Sequence, residues 1–194
     1  MVGVSVQQPV VMHVKISQAA QSDLQAISNL AMSAFGISEG PEIVQLIGDL
    51  LTDVTAQPLL SLVATVNKSI VGHVLFSKVR LKPPGQNVSA VLLAPLAIHP
   101  DFQSRGLGGQ LVTEGLQRLS DSGVDLVFVL GHPAYYPRFG FSAAGVRGFE
   151  APYPIPQQNA EAWMVRELHP GVIGSTSGQV ICADALADPK YWRE

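Results

Sequence analysis

Val91-Leu92-Leu93-Ala94-Pro95-Leu96-Ala97-Ile98, then His99-Pro100-Asp101-Phe102, then Gln103-Ser104-Arg105-Gly106-Leu107-Gly108-Gly109 is the stretch that decides how this chain folds. The apolar run has the length and make-up of a buried strand, and His99-Pro100 ends it. Beyond the loop, Leu107, Leu111, Val112, Leu116 and Leu119 recur at spacings of four, one, four and three, which places them on one helical face. The segment therefore reads as strand, tight glycine loop and amphipathic helix. The first N–H groups of such a helix have no intrahelical acceptor and sit at the positive end of its macrodipole. Glycines beside them admit another backbone-sized group with no Cβ in the way. This combination predicts a phosphate cradle.

Three kinds of phosphate loop compete for it. A P-loop needs Gly-x-x-x-x-Gly-Lys-Ser/Thr, and no such lysine follows here. A dinucleotide fingerprint needs a third small residue where Leu111 stands, and Asp125 precedes the next apolar run instead of ending it. In an Arg/Gln-x-x-Gly-x-Gly/Ala loop, Gln103, Gly106 and Gly108 fill every defined position. That pattern resembles the pyrophosphate loop of GNAT-superfamily N-acetyltransferases. A second match follows at family distance. After the β-rich run Val124 to Leu130 and Gly131-His132-Pro133, Tyr136, Gly140 and Phe141 fill the Tyr-x-x-x-Gly-Phe pattern that many GNAT enzymes carry after their fifth strand. The resemblance is most specific over residues 92–141, loose over 14–91 and weak after Gly148. It points to the predicted N-acetyltransferase subgroup.

Bulk properties agree with a compact enzyme. A chain of 194 residues fits one domain, and a 14% charged share with 47% hydrophobic residues argues against extensive disorder. A net charge of -3 without a basic stripe argues against nucleic-acid binding. Cys182 is the only cysteine, so an intrachain disulfide is excluded and a reducing, cytoplasmic setting is expected. No apolar run is long enough to span a bilayer, so no membrane association is expected. Residues 1–12 lack a basic start and a cleavage pattern and read as a loose arm; 13–194 read as a single domain, compatible with a homodimer.

His13 to Ile16 begins a first strand, and Ser22-Asp23 caps a helix whose stripe runs from Leu24 to Phe35 and closes at Gly36. Pro41 is expected to open a second helix with Ile43, Leu46, Ile47 and Leu50 inward. Leu60 to Val66 and Ile70 to Lys78 flank Asn67-Lys68-Ser69 as a hairpin, and Lys82-Pro83-Pro84-Gly85-Gln86-Asn87 reads as a loop. The order β-α-α-β-β-β-α-β-α-β conflicts with strict βαβ alternation and matches the GNAT core. The expected class is thus α/β of the α+β type: a mixed, mostly antiparallel sheet of six to seven strands, helices on both faces, and splayed fourth and fifth strands. Prolines make Gly148 to Pro156 mainly extended, Trp163 to Leu168 looks like a strand, and Tyr191-Trp192-Arg193 either docks or frays.

The resemblance implies acetyl-CoA as co-substrate, bound in the wedge between the splayed strands, and direct transfer to a small amine acceptor in a ternary complex. Leu96, Ala97 and Ile98 would pair with the pantetheine arm through their main chain. Gln103, Ser104, Arg105, Gly106, Leu107, Gly108 and Gly109 would hold the pyrophosphate. Tyr136 is the expected general acid, with Tyr135 as its rival, because a phenol of ordinary pKa near 10 can protonate a departing thiolate. Many GNAT enzymes place a glutamate on the fourth strand, and Val91 to Pro95 contains none. His99 and His132 are candidate bases; a water chain or an amine arriving neutral would also serve. His73 either lines the acceptor side or is buried, and Arg138 meets a CoA phosphate, an acidic acceptor or a surface partner. No serine-hydrolase elbow and no metal-ligand spacing occurs, so no metal is expected. A non-catalytic acyl-CoA-binding module and a nucleotide-binding oxidoreductase are the alternatives.

Overall fold

Apolar residues at consecutive positions of the central runs demand burial on both sides, so a layer of helix must cover each face of the sheet. A computed structural model describes residues 13–83 and 88–192. The arm, residues 1–12, and residues 84–87 of the proline-containing loop lie outside the described residues. Nine strands form one sheet: β1 (Val14–Gln18), β2 (Leu60–Val66), β3 (Ser69–Lys82), β4 (Ala90–Ile98), β5 (Leu126–Leu130), β6 (Ser142–Ala143), β7 (Phe149–Glu150), β8 (Trp163–Glu167) and β9 (Gly178–Ile181). Their order is β1-β2-β3-β4-β5-β8-β6, with β9 on the far end of β3 and β7 on β9. Only β4–β5 and β7–β9 are parallel. The two strands beyond the expected seven are β7 and β9. Both are too short for periodicity to register them.

Helix α1 (Leu24–Thr52) covers one face and α2 (Leu107–Asp121) the other. Along β3 and β5 the side chains alternate between them. Leu75, Val79, Leu126 and Phe128 join Leu46 and Leu50 of α1. Val74, Phe76, Val127 and Val129 join Leu107, Leu111, Val112 and Leu116 of α2. All five residues of the α2 stripe read from the sequence are buried. Two helices were expected before β2, and α1 is indeed interrupted: Gly36 has φ 72 and ψ −173, outside helical space. Helix resumes at once, ahead of Pro41, which sits within its opening turns instead of starting it. The β2–β3 hairpin turns on Asn67 and Lys68 alone, both left-handed (φ 49 and 69), as a two-residue I′ turn requires.

The C-terminal segment docks. Trp163 stacks on Phe128 (5.2 Å, 10°), and Trp192 meets Trp163 edge-on at 5.8 Å while its indole N–H donates to the Leu186 carbonyl at 3.0 Å. The Asp53 carboxylate accepts the N–H groups of Thr55 (2.7 Å) and Ala185 (2.9 Å), and the Thr55 hydroxyl accepts from Asp184 N–H at 2.8 Å.

Helix α2 lies so close to β3 that a Cβ on Gly115 would overlap the Phe76 ring. Gly115→Val should therefore cost about 3 kcal/mol, because overpacking a dense core outweighs the few tenths of a kcal/mol of helix propensity that valine regains over glycine. Thermal unfolding checks this, at about 2–4 °C of Tm per kcal/mol for a chain of this size.

Candidate active site

The parallel pairing of β4 with β5 stops early. It covers Ala90/Leu126, Val91/Val127 and Leu92/Phe128, although β4 continues to Ile98 and β5 to Leu130. Pro95 lacks an N–H, and the β3–β4 register slips between Leu93 and Leu96, a bulge that bends β4 away. The strands thus part beyond Leu92. His99 N–H donates to the Val71 carbonyl at 2.9 Å, so by antiparallel alternation Ala97, opposite His73, also turns its main chain to β3. Leu96 and Ile98 turn theirs to the open side. Of the three residues expected to face a ligand arm, Ala97 is committed elsewhere by this alternation.

The loop continues the open side. A 3-10 turn (Pro100–Phe102) leads into Ser104 and Gly106, both left-handed with φ 58 and 79, and Gly106 caps α2. The Gln103 side-chain amide donates to the Ile98 carbonyl at 3.1 Å, fixing the loop to the end of β4. The N–H groups of Leu107, Gly108 and Gly109 begin the helix without intrahelical acceptors, and that of Gln110 is the first to find one, at Gly106. A cleft of about 450 Å3 results. Leu96 and Ile98 form one wall, Gln103, Ser104 and the turn from Gly106 to Gly109 the floor, and Tyr135, Arg138 and Phe139 the other wall. A Cβ on Gly108 would stand 2.7 Å from the Tyr135 hydroxyl. Arg105 is exposed outside the cleft, its guanidinium 5.7 Å from the Phe102 ring centroid.

Sequence reasoning left the place of Arg138 open. Its guanidinium lies 4.7 Å over the Tyr135 ring and donates to the Tyr135 carbonyl at 2.9 Å, bringing a positive charge to the cleft. Burial pushes the Tyr135 phenol above its ordinary pKa, and the Arg138 charge opposes part of that shift. Tyr136, next in sequence, is 8% exposed, packs edge-on against Tyr135 (5.1 Å) and Phe141 (5.7 Å), and covers Gly131 at the end of β5. Tyr135 caps the Tyr136–Phe139 turn and Arg138 and Phe139 lie on it; of the three only Phe139 was not singled out from the sequence, and the Tyr-x-x-x-Gly-Phe pattern was the signal that could have found it.

Neither candidate base lines this cleft. His99 Nδ1 accepts from Asp101 N–H at 3.3 Å and His132 Nδ1 accepts from Ala134 N–H at 3.2 Å. Each caps the His-Pro turn it begins, as short polar side chains cap the N–H two residues on. Among the described residues, no carboxylate or imidazole lines the cleft and no group of three or more His, Cys, Asp or Glu could hold a metal ion. Cys182 is buried, which pushes its thiol up to about 11, and among the described residues no helix is long and apolar enough to cross a membrane.

His73 is fully buried on β3, its Nε2 2.9 Å from the Ser61 hydroxyl and its Nδ1 without a partner among the described residues. Burial lowers its pKa to about 4. An unfolded histidine titrates near 6.5, so as pH falls the unfolded chain takes up this proton first. Stability from His73 should be complete above about pH 6.5 and be lost between there and about 4, on the order of 3 kcal/mol in all. Urea midpoints across this range should fall less steeply in His73→Gln than in the parent protein.

Comparison with known proteins agrees with this geometry. A profile described as "Acetyltransferase (GNAT) domain" matches residues 15–144. The uncharacterized N-acetyltransferase YjhQ of Escherichia coli is 40% identical over 165 residues, 84% of this chain and 89% of that one. The crystal structure of the GNAT family N-acetyltransferase YhbS from Escherichia coli in complex with CoA superposes with a TM-score of 0.81 at 28% identity, covering 94% of this chain and 97% of that one. A GNAT family acetyltransferase from Brucella melitensis in complex with acetyl-CoA gives 0.71 at 25% identity, with 90% and 99% covered. Strands that part at a bulge, a glycine-capped helix beneath the gap, and a relative this similar along most of its length lead to one assignment: the chain belongs to the GNAT family of acetyltransferases.

Proposed function

We propose that this acetyltransferase takes acetyl-CoA in the cleft between Leu96 and Gly109 and passes the acetyl group directly to the primary amine of a small molecule. The observation that carries this reading is the gap where β4 and β5 part, which runs without a break into the N-terminal turn of α2. The pantetheine amides would pair with the main chain of Leu96 and Ile98, in place of the missing strand. The pyrophosphate would rest on the N–H groups from Gly106 to Gly109, with the Arg138 charge beside it. Binding of CoA by the Escherichia coli relative and of acetyl-CoA by the Brucella melitensis relative supports this reading.

In the transfer, a neutral amine nitrogen attacks the thioester carbonyl carbon. The oxyanion accepts a main-chain N–H from β4, an interaction worth about 3–4 kcal/mol in other enzymes. Collapse breaks the C–S bond and the nitrogen loses its extra proton to water; the thiolate takes a phenolic proton from Tyr136, which packs behind the lining residue Tyr135 and would have to turn its hydroxyl towards the cleft to reach the sulfur. Among the described residues no carboxylate or imidazole lines the cleft, so the amine would enter already deprotonated and the rate should rise with pH towards the amine's own pKa.

Thiol release from acetyl-CoA with a panel of small primary amines tests the activity, and thermal shifts with acetyl-CoA and with NADH test the ligand. Stabilisation by acetyl-CoA together with amine-dependent thiol release is the expected result. Stabilisation by NADH alone would make the chain a nucleotide-binding oxidoreductase, and acetyl-CoA binding without turnover of any amine would make it a binding module.

A further inference from the structure

A second, larger cavity of about 1110 Å3 lies at the other end of α2. Arg118, Leu119 and Ser122 reach it from the last turn of that helix, whereas the acetyl-CoA cleft meets the first. A helix of 15 residues separates the two by about 22 Å. Leu60, Val91, Leu119 and Val124 give the cavity an apolar floor. Its polar lining has one sign. Lys78, Arg80 and Lys82 occupy alternate positions of β3 and so stand on one face of the strand, about 7 Å apart in succession.

Nothing in the fold neutralises this row. The cross-strand partners of the three are Val91, Ile181 and Gln179, and among the described residues none of the three forms an ion pair. Arg118, the fourth cation, is paired with Glu114 at 2.8 Å, and among the described residues no acidic side chain lines the cavity. The whole chain carries 12 Lys and Arg against 15 Asp and Glu, so Lys78, Arg80 and Lys82 without an ion pair reverse the overall balance at one place. The carbonyl end of α2 contributes only about half a negative charge, too little to offset three full cations. Like charges on one strand face repel, a cost that persists without an anion between them.

We infer that this cavity binds an amphipathic organic anion, with its apolar body against Val91 and Leu119 and its carboxylate or phosphate head among Lys78, Arg80 and Lys82. The site is independent of the acetyl-CoA reading, because the two share no lining residue. Titration calorimetry with decanoate, decyl phosphate and decanol tests it, in the parent protein, in the same protein saturated with CoA, and in the combined variant Lys78→Gln/Arg80→Gln/Lys82→Gln. Both anions should bind the parent at least tenfold more tightly than decanol, and the tighter of the two identifies the head group preferred. Saturating CoA should leave both affinities unchanged, and the variant should lose at least tenfold for each anion while melting within a few degrees of the parent. The single reversal Arg80→Glu should weaken the anions and spare decanol. Equal affinity for decanol, displacement by CoA, unchanged binding in the variants, or no binding of either anion at millimolar concentration would each overturn the inference.

Discussion

Gly108→Val should weaken CoA binding by about 100-fold, a loss of roughly 2.7 kcal/mol, with little change in melting temperature. The site is cramped from one direction only. A Cβ at Gly108 already stands 2.7 Å from the Tyr135 hydroxyl and within 4 Å of Leu96 and Ile98, so the valine methyls fill the cleft where the diphosphate would lie. Gly108→Ala should cost far less, since the tyrosine hydroxyl is the end of a mobile side chain and can move aside. Calorimetric titration with CoA separates the outcomes. Equal affinity in the parent and the valine variant would place the carrier elsewhere.

The second large effect concerns turnover. Tyr136→Phe should lower kcat by about 100-fold or more and leave the KM for acetyl-CoA within a few-fold, the pattern expected when a group acts only as the C–S bond breaks. Tyr135→Phe, at the wall of the cleft, should change KM more than kcat. If the kcat loss falls on Tyr135→Phe instead, the two neighbouring tyrosines exchange roles.

The parts of this molecule legible in the sequence are those set by short-range regularity. The α2 stripe and the apolar runs of β2 to β5 are each written in contiguous residues and took their expected places, while the expected Asn67-Lys68-Ser69 turn closed on its first two residues and gave Ser69 to β3. The glycine loop was legible for the same reason, since helix cap and strand end lie within ten residues of each other. What local pattern could not reveal is long-range pairing. Strand β9 joins β3 across about 100 residues, and β7 is two residues that become a strand only because β9 lies beside them. Orientation within a turn was equally hidden: Tyr135 and Tyr136 are identical neighbours, and only the path of the chain after Gly131 sends one to the cleft and packs the other against Phe141. The histidines show the opposite lesson. His99 and His132 were expected as candidate bases, yet His99-Pro100-Asp101 and His132-Pro133-Ala134 share one signature, and in both the imidazole accepts the N–H two residues on.

The clasp of Asp53 and Thr55 on Asp184 and Ala185 sets how much of the chain must be present for it to become a protein at all. The stretch matched by the family profile ends at residue 144, but Trp163, Val180 and Trp192 roof over Leu75, Leu126 and Phe128 from beyond it. Shortened to that stretch, the polypeptide would turn a bare aromatic and aliphatic wall to water.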